Sequence, residues 1–224
     1  ADEWDVTTGD AWFLSAGGWW GAASAFLIAA GANLQPIDDR YAWGIGGGLI
    51  GVGVATAALA TQPMDEGDAM LAHSGGALGM LVGGATQLLY EGATTTTSTP
   101  YKGMGYGTAA GLIAAGALAT QVTVSPSRVL LVDVGVGGGA LLGAAAASPL
   151  IFQNATPGHT RGWLSATIAG SVIGGALTWW LTRDSSPNKP ASSVPGAPVA
   201  GVLGMSESPS GGKPIYGLGW GGPF

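Results

Sequence analysis

The chain has no cysteine, which excludes disulfides, thiolate nucleophiles and cysteine metal sites. It also has little charge. Only 9% of its 224 residues are charged, against about 25% in an average soluble domain. A water-soluble fold would have too few charges to cover its surface. Basic residues are especially rare: 7 Lys and Arg stand against 13 Asp and Glu. No basic run could track a phosphate backbone, so nucleic acid is not an expected partner. His73 and His159 are the only histidines, and they show no HExxH or comparable spacing. Asp65-Glu66-Gly67-Asp68 lacks the pattern of a calcium loop and reads instead as an acidic lead into a helix. Gly44-Ile45-Gly46-Gly47-Gly48 has no Lys-Ser/Thr after it, as a phosphate loop would require. No metal and no cofactor are expected.

What the chain has instead is glycine and apolar length. Gly accounts for 42 residues and hydrophobic residues for 47%; the mean hydropathy is +0.37. Six apolar segments run over about 11–32, 41–61, 69–90, 103–121, 129–152 and 163–182. Each is near the roughly twenty residues that cross a ~30 Å hydrocarbon layer as a helix. Turn and charge signals separate them, among them Gln35-Pro36, Gln62-Pro63 and Ser125-Pro126. Continuous apolar runs without in/out alternation weigh against the rival architecture, a Gly-rich outer-membrane β-barrel.

Three stretches share one register. Asp10 precedes Gly17, Gly21 and Ala25; Asp68 precedes Gly75, Gly79 and Gly83; Arg128 precedes Gly135, Gly139 and Gly143. The even segments carry matching lines: Gly47, Gly51 and Ala55; Gly103, Gly107, Gly111 and Ala115; Ala166, Gly170 and Gly174. Small residues every fourth position let helix axes approach closely in a membrane. The expected fold is therefore an all-α membrane protein of three repeated helical hairpins, six spans in all, with an extended C-terminal tail. The divisions fall at 1–10 (lead), 11–61, 62–121 and 122–183 (hairpins) and 184–224 (tail). Trp12, Trp43, Tyr90, Tyr101, Trp163, Trp179 and Trp180 lie toward segment ends, as in an interfacial belt.

From Asp184 the composition turns to Pro, Ser and Gly. Residues 198–205 and 214–224 read as short extended pieces that suit docking on a neighbour's sheet edge. Tyr216, Leu218, Trp220 and Phe224 are the expected partner anchors.

One polar constellation stands out. Ser15, His73 and Asp133 each follow a repeat anchor by five residues. With pseudo-threefold packing they would converge, and they are the ingredients of a nucleophilic triad. A structural or proton-handling cluster, or unrelated polar positions, are the alternatives. No nucleophile elbow accompanies them.

The lines Gly75-Gly79-Gly83 and Gly135-Gly139-Gly143 resemble the glycine-zipper envelope proteins of Gram-negative bacteria, over about 11–182. That family usually has one hairpin where this chain has three. The resemblance implies an envelope location and a structural role. The start Ala1-Asp2-Glu3 suits signal-peptide removal or another processing boundary. The expected function is a non-enzymatic integral membrane subunit contacting the bilayer and other subunits. A channel or transporter subunit is second, and an intramembrane hydrolase third.

Overall fold

The computed structural model describes residues 6–92, 99–152, 156–183, 197–206 and 213–221. It falls into two units, Ala1–Asp184 and Ser185–Phe224. The first holds seven helices and, among its described residues, no strand: α1 (Thr8–Gly31), α2 (Ile37–Leu59), α3 (Glu66–Glu91), α4 (Tyr101–Ala119), α5 (Pro126–Ala146), α6 (Pro149–Phe152) and α7 (Pro157–Leu181). The β-barrel alternative is thereby set aside for this unit.

Local chemistry explains where the helices start. Thr7 Oγ1 accepts the Asp10 N–H at 3.1 Å, and the Asp10 carboxylate accepts the Thr7 N–H at 3.0 Å. Asp65 and Asp68 repeat this capping box at the start of α3. Pro126 and Pro157 occupy first helical positions, where a missing N–H costs nothing. Thr156 also caps α7, so this helix starts six residues before the expected apolar segment. The fifth segment breaks at Ala147-Ser148 into α5 and the short α6.

The glycine lines lie between helices. A Cβ on Gly17 would sit 2.5 Å from the Gly51 carbonyl oxygen, and one on Gly21 would sit 2.5 Å from that of Gly47. Between α3 and α4, Gly75, Gly79 and Gly83 face Gly111, Gly107 and Gly103. Between α5 and α7, Gly135, Gly139 and Gly143 face Gly174, Gly170 and Ala166. Each step of four up one helix is a step of four down the other, so the pairs are antiparallel. Backbone touches backbone, which only glycine permits.

The pairs are then laid side by side. α1 packs on both α3 and α4, and α3 packs on α5 and α7. α1, α3 and α5 therefore form a row and have no threefold axis, which corrects the expected convergence. Phe13, Ala16, Leu59, Met64, Ala69 and Ala72 belong to the buried core between the first two pairs.

Four helices, α1, α2, α5 and α7, are long and apolar enough to cross a membrane. By length and composition these are the helices of a membrane protein. α3 and α4 do not join them: α3 opens on Glu66-Gly67-Asp68 and carries His73 and Ser74, and α4 is diluted by Lys102, Tyr106 and five glycines. Large apolar side chains face outward, including Leu49, Ile50, Leu141, Leu142 and Leu177.

The second unit holds two strands. β1 (Ala197–Ser206) and β2 (Lys213–Gly221) pair antiparallel, with an irregularity between Val202 and Gly204. The expected extended pieces match these strands over 198–205 and 214–221, and they pair with each other. Tyr216, Leu218 and Trp220 lie on β2, opposite Val202, Ala200 and Pro198. Phe224 lies outside the described residues.

Candidate functional site

The helix row brings together two of the three predicted polar residues. His73 on α3 reaches α1, where its Nε2 lies 3.2 Å from Ser15 Oγ. Its Nδ1 accepts the indole N–H of Trp20 at 3.1 Å. The ring of Trp12 stands edge-on to the imidazole at 6.1 Å between centroids. Asp133 does not join them. It comes from α5 to the other flank of α3, where Ser74 Oγ donates to its Oδ2. Neighbouring positions on α3 diverge by about 100° around a helix of 3.6 residues per turn, so His73 and Ser74 serve different neighbours.

The hydrogen-bond directions decide the chemistry. An indole N–H can only donate, so Nδ1 is the acceptor, and a neutral imidazole then carries its hydrogen on Nε2. Ser15 Oγ donates to the Trp12 carbonyl at 2.7 Å and is left to accept from Nε2. In a nucleophilic triad the histidine accepts the serine proton and a carboxylate holds its other nitrogen. Here both directions are reversed, and an indole stands where the carboxylate would be. The cluster ties α1 to α3 with hydrogen-bond directions that differ from those of a triad.

Trp20 and Ser74 complete this arrangement, and neither belonged to the predicted trio. The signal for Trp20 lies in Gly76, one residue off the Gly75 line. A Cβ there would strike the Trp20 ring, so the extra glycine marks a second contact face on α3.

The buried carboxylates at the helix starts differ. Asp10 Oδ1 accepts the Met64 N–H at 2.9 Å. Asp68 occupies the same repeat position, and its Oδ1 is buried without a hydrogen-bond partner. Among the described residues, no group of three His, Asp or Glu side chains could hold a metal ion.

A groove of about 490 Å³ runs between α2 and α4 with α1 as its floor. Its lining is almost entirely apolar and includes Trp20, Ile50, Val54, Leu112 and Ile113. The one buried hydroxyl on its floor, that of Ser24, is already committed to the Gly105 carbonyl at 2.8 Å. The groove suits hydrocarbon and presents no reactive group. The chain matches no known family model, no curated protein and no solved structure.

Proposed function

We propose that this chain is a non-enzymatic integral membrane subunit, built of three repeated glycine-zipper hairpins with six spans, that acts as a structural component of a larger bacterial envelope assembly. The observation that carries this reading is the reciprocal fit of glycine backbones within α1–α2, α3–α4 and α5–α7. It leaves leucine, isoleucine and valine facing out, which suits lipid and other apolar chains. Against the channel reading, the groove bordered by Gly17, Gly21, Gly47 and Gly51 is almost entirely apolar and offers no polar lining for an ion. The hydrogen-bond directions around His73 weigh against the hydrolase reading. The β1–β2 hairpin offers two outer strand edges, and we read it as the element that docks on partner subunits. Removing 197–221 should leave the helices folded and release the chain from its native complex; full retention in the complex would end that part of the reading.

The absence of cysteine gives a direct test of the six spans. Single variants Asn33→Cys, Thr61→Cys, Thr99→Cys and Gln121→Cys are labelled from one side of native membranes with an impermeant maleimide. Six spans put 33 and 99 on one side and 61 and 121 on the other. Labelling of 99 together with 61 and 121 would mean that α3 and α4 do not cross.

A further inference from the structure

We propose that copies of this chain associate head to tail, the outer face of α5 in one copy docking on the outer face of the α1–α2 hairpin in the next. This rests on the reading of the chain as three repeats.

Two junctions between helix pairs lie inside one chain, and they share one register position. At the first, Trp20 of α1 lies against Gly76 of α3, and Ser24 of α1 bonds Gly105 of α4. At the second, Ser74 of α3 bonds Asp133 of α5. His73 and Asp133 share one repeat position; His73 of α3 reaches back to α1, and Asp133 of α5 reaches back to α3. The repeat register thus predicts which face of each hairpin gives and which receives.

The giving face of α1 includes Phe13, Ala16 and Trp20. Steps of 58 and then 60 carry these to Leu131, Val134 and Gly138 on α5. Phe13 and Ala16 are buried, but Leu131 and Val134 are 50% and 63% exposed. A Cβ on Gly138 would meet nothing within 4 Å.

The receiving face behaves likewise. Gly76, which takes the Trp20 ring, maps back to Gly18, where a Cβ would meet only the Val52 side chain, at 3.1 Å. Gly105 and Ala109 of α4 map by a step of 60 to Ile45 and Leu49 of α2, which are 66% and 69% exposed. The two ends of the row are therefore the two unmatched halves of a junction the chain already makes. A second copy supplies the missing half at each end. Such an interface is heterologous, so it extends the row or closes a ring.

Cysteine cross-linking tests this on the full chain reconstituted in phosphatidylcholine vesicles. The Ser74–Asp133 contact, moved on by one repeat, places Val134 beside Ser15 of the next copy. Under mild oxidation, Ser15→Cys mixed with Val134→Cys should give a covalent dimer as the main product. Either variant alone should stay monomeric, and the double variant should give a ladder or one closed ring. No cross-link in the mixture, with lipid alone covering both faces, would overturn the proposal. So would cross-linking of a single variant with itself, which indicates a twofold contact. If the cysteine variants do not fold, the wild-type mass in mild detergent decides: multimers support the proposal, and a monomer alone refutes it. The loop labelling above tests the spans separately, so a failed cross-link with six spans intact rejects the docking alone.

Discussion

The two junctions between helix pairs share a register and differ in chemistry. At the first, an indole fills the notch at Gly76 and donates to His73, Ser24 bonds the Gly105 carbonyl, and Asp10 accepts a third-element N–H from Met64. At the second, Val136 stands at the position of Gly76 and Leu78 at that of Trp20. The junction relies on the Ser74–Asp133 bond and on Arg161, which donates to the α3 carbonyls of Leu89 and Tyr90 at 3.1 and 3.3 Å. Asp68 Oδ1, the counterpart of the satisfied Asp10 Oδ1, is left without a donor. Matching spacing along the helices does not make the two junctions alike; the side chains at each meeting point do the holding.

The largest expected loss is common to both sides of the comparison, since it lies within the pairs. Gly79→Leu and Gly139→Leu force a side chain between touching backbones and should each cost about 3 kcal/mol or more. Gly137→Leu meets open space and should leave the melting midpoint in detergent unchanged. Gly48→Leu, whose nearest neighbour is the Gly18 carbonyl at 3.2 Å, should fall between. Equal midpoints for all four variants would remove the glycine ladder from the account.

Next comes a conversion of one junction into the other. Gly76→Val alone drives a side chain into the Trp20 ring and should cost about 2–3 kcal/mol. Adding Trp20→Leu installs the residues that stand at the corresponding positions 78 and 136 and, by shortening the side chain that is struck, should recover a good part of that loss in a double-mutant cycle. Additive losses would mean that the junctions are not equivalent.

The smallest effect separates the two acids. Asp10→Ala removes a cap and the bond to Met64, which together should cost about 2 kcal/mol. Asp68→Ala removes a cap but also a buried oxygen without a donor, so its cost should stay below about 1 kcal/mol. Circular dichroism melts of the two variants side by side would show the gap; equal losses would mean that the orphaned oxygen has no energetic weight.

The pairing of helices was legible in the sequence because it depends on an absence. Glycine lines 17/21, 79/83 and 139/143 need no side-chain detail to predict where backbones can touch. The order of the pairs was not legible. Ser15, His73 and Asp133 share a repeat position, but a shared position is equally compatible with a ring and with a row. In a row, a middle helix has two flanks, and α3 spends His73 on one and Ser74 on the other. Off-line glycines held the missing information: Gly76 meets Trp20, and Gly105 meets Ser24 and Ile28. The strands at 197–221 were legible as extended segments, but their mutual pairing was not, since a free strand edge and a paired one call for the same residues.

Two smooth glycine tracks make a sliding bearing. Shifting one helix by four residues past its partner, about 6 Å, would again bring glycine to glycine along much of the ladder. The glycines thus set the spacing of the axes and are nearly indifferent to phase along them. The stops are side chains at the periphery. Arg128 holds the Trp179 carbonyl at 3.2 Å, and Trp163 donates to Ala144 at 3.0 Å. Gln87 accepts the Gly103 N–H in the second pair, and the Phe26 and Tyr41 rings meet 5.5 Å apart in the first. The running surface is bare backbone, and a few side chains near the helix ends decide where it comes to rest.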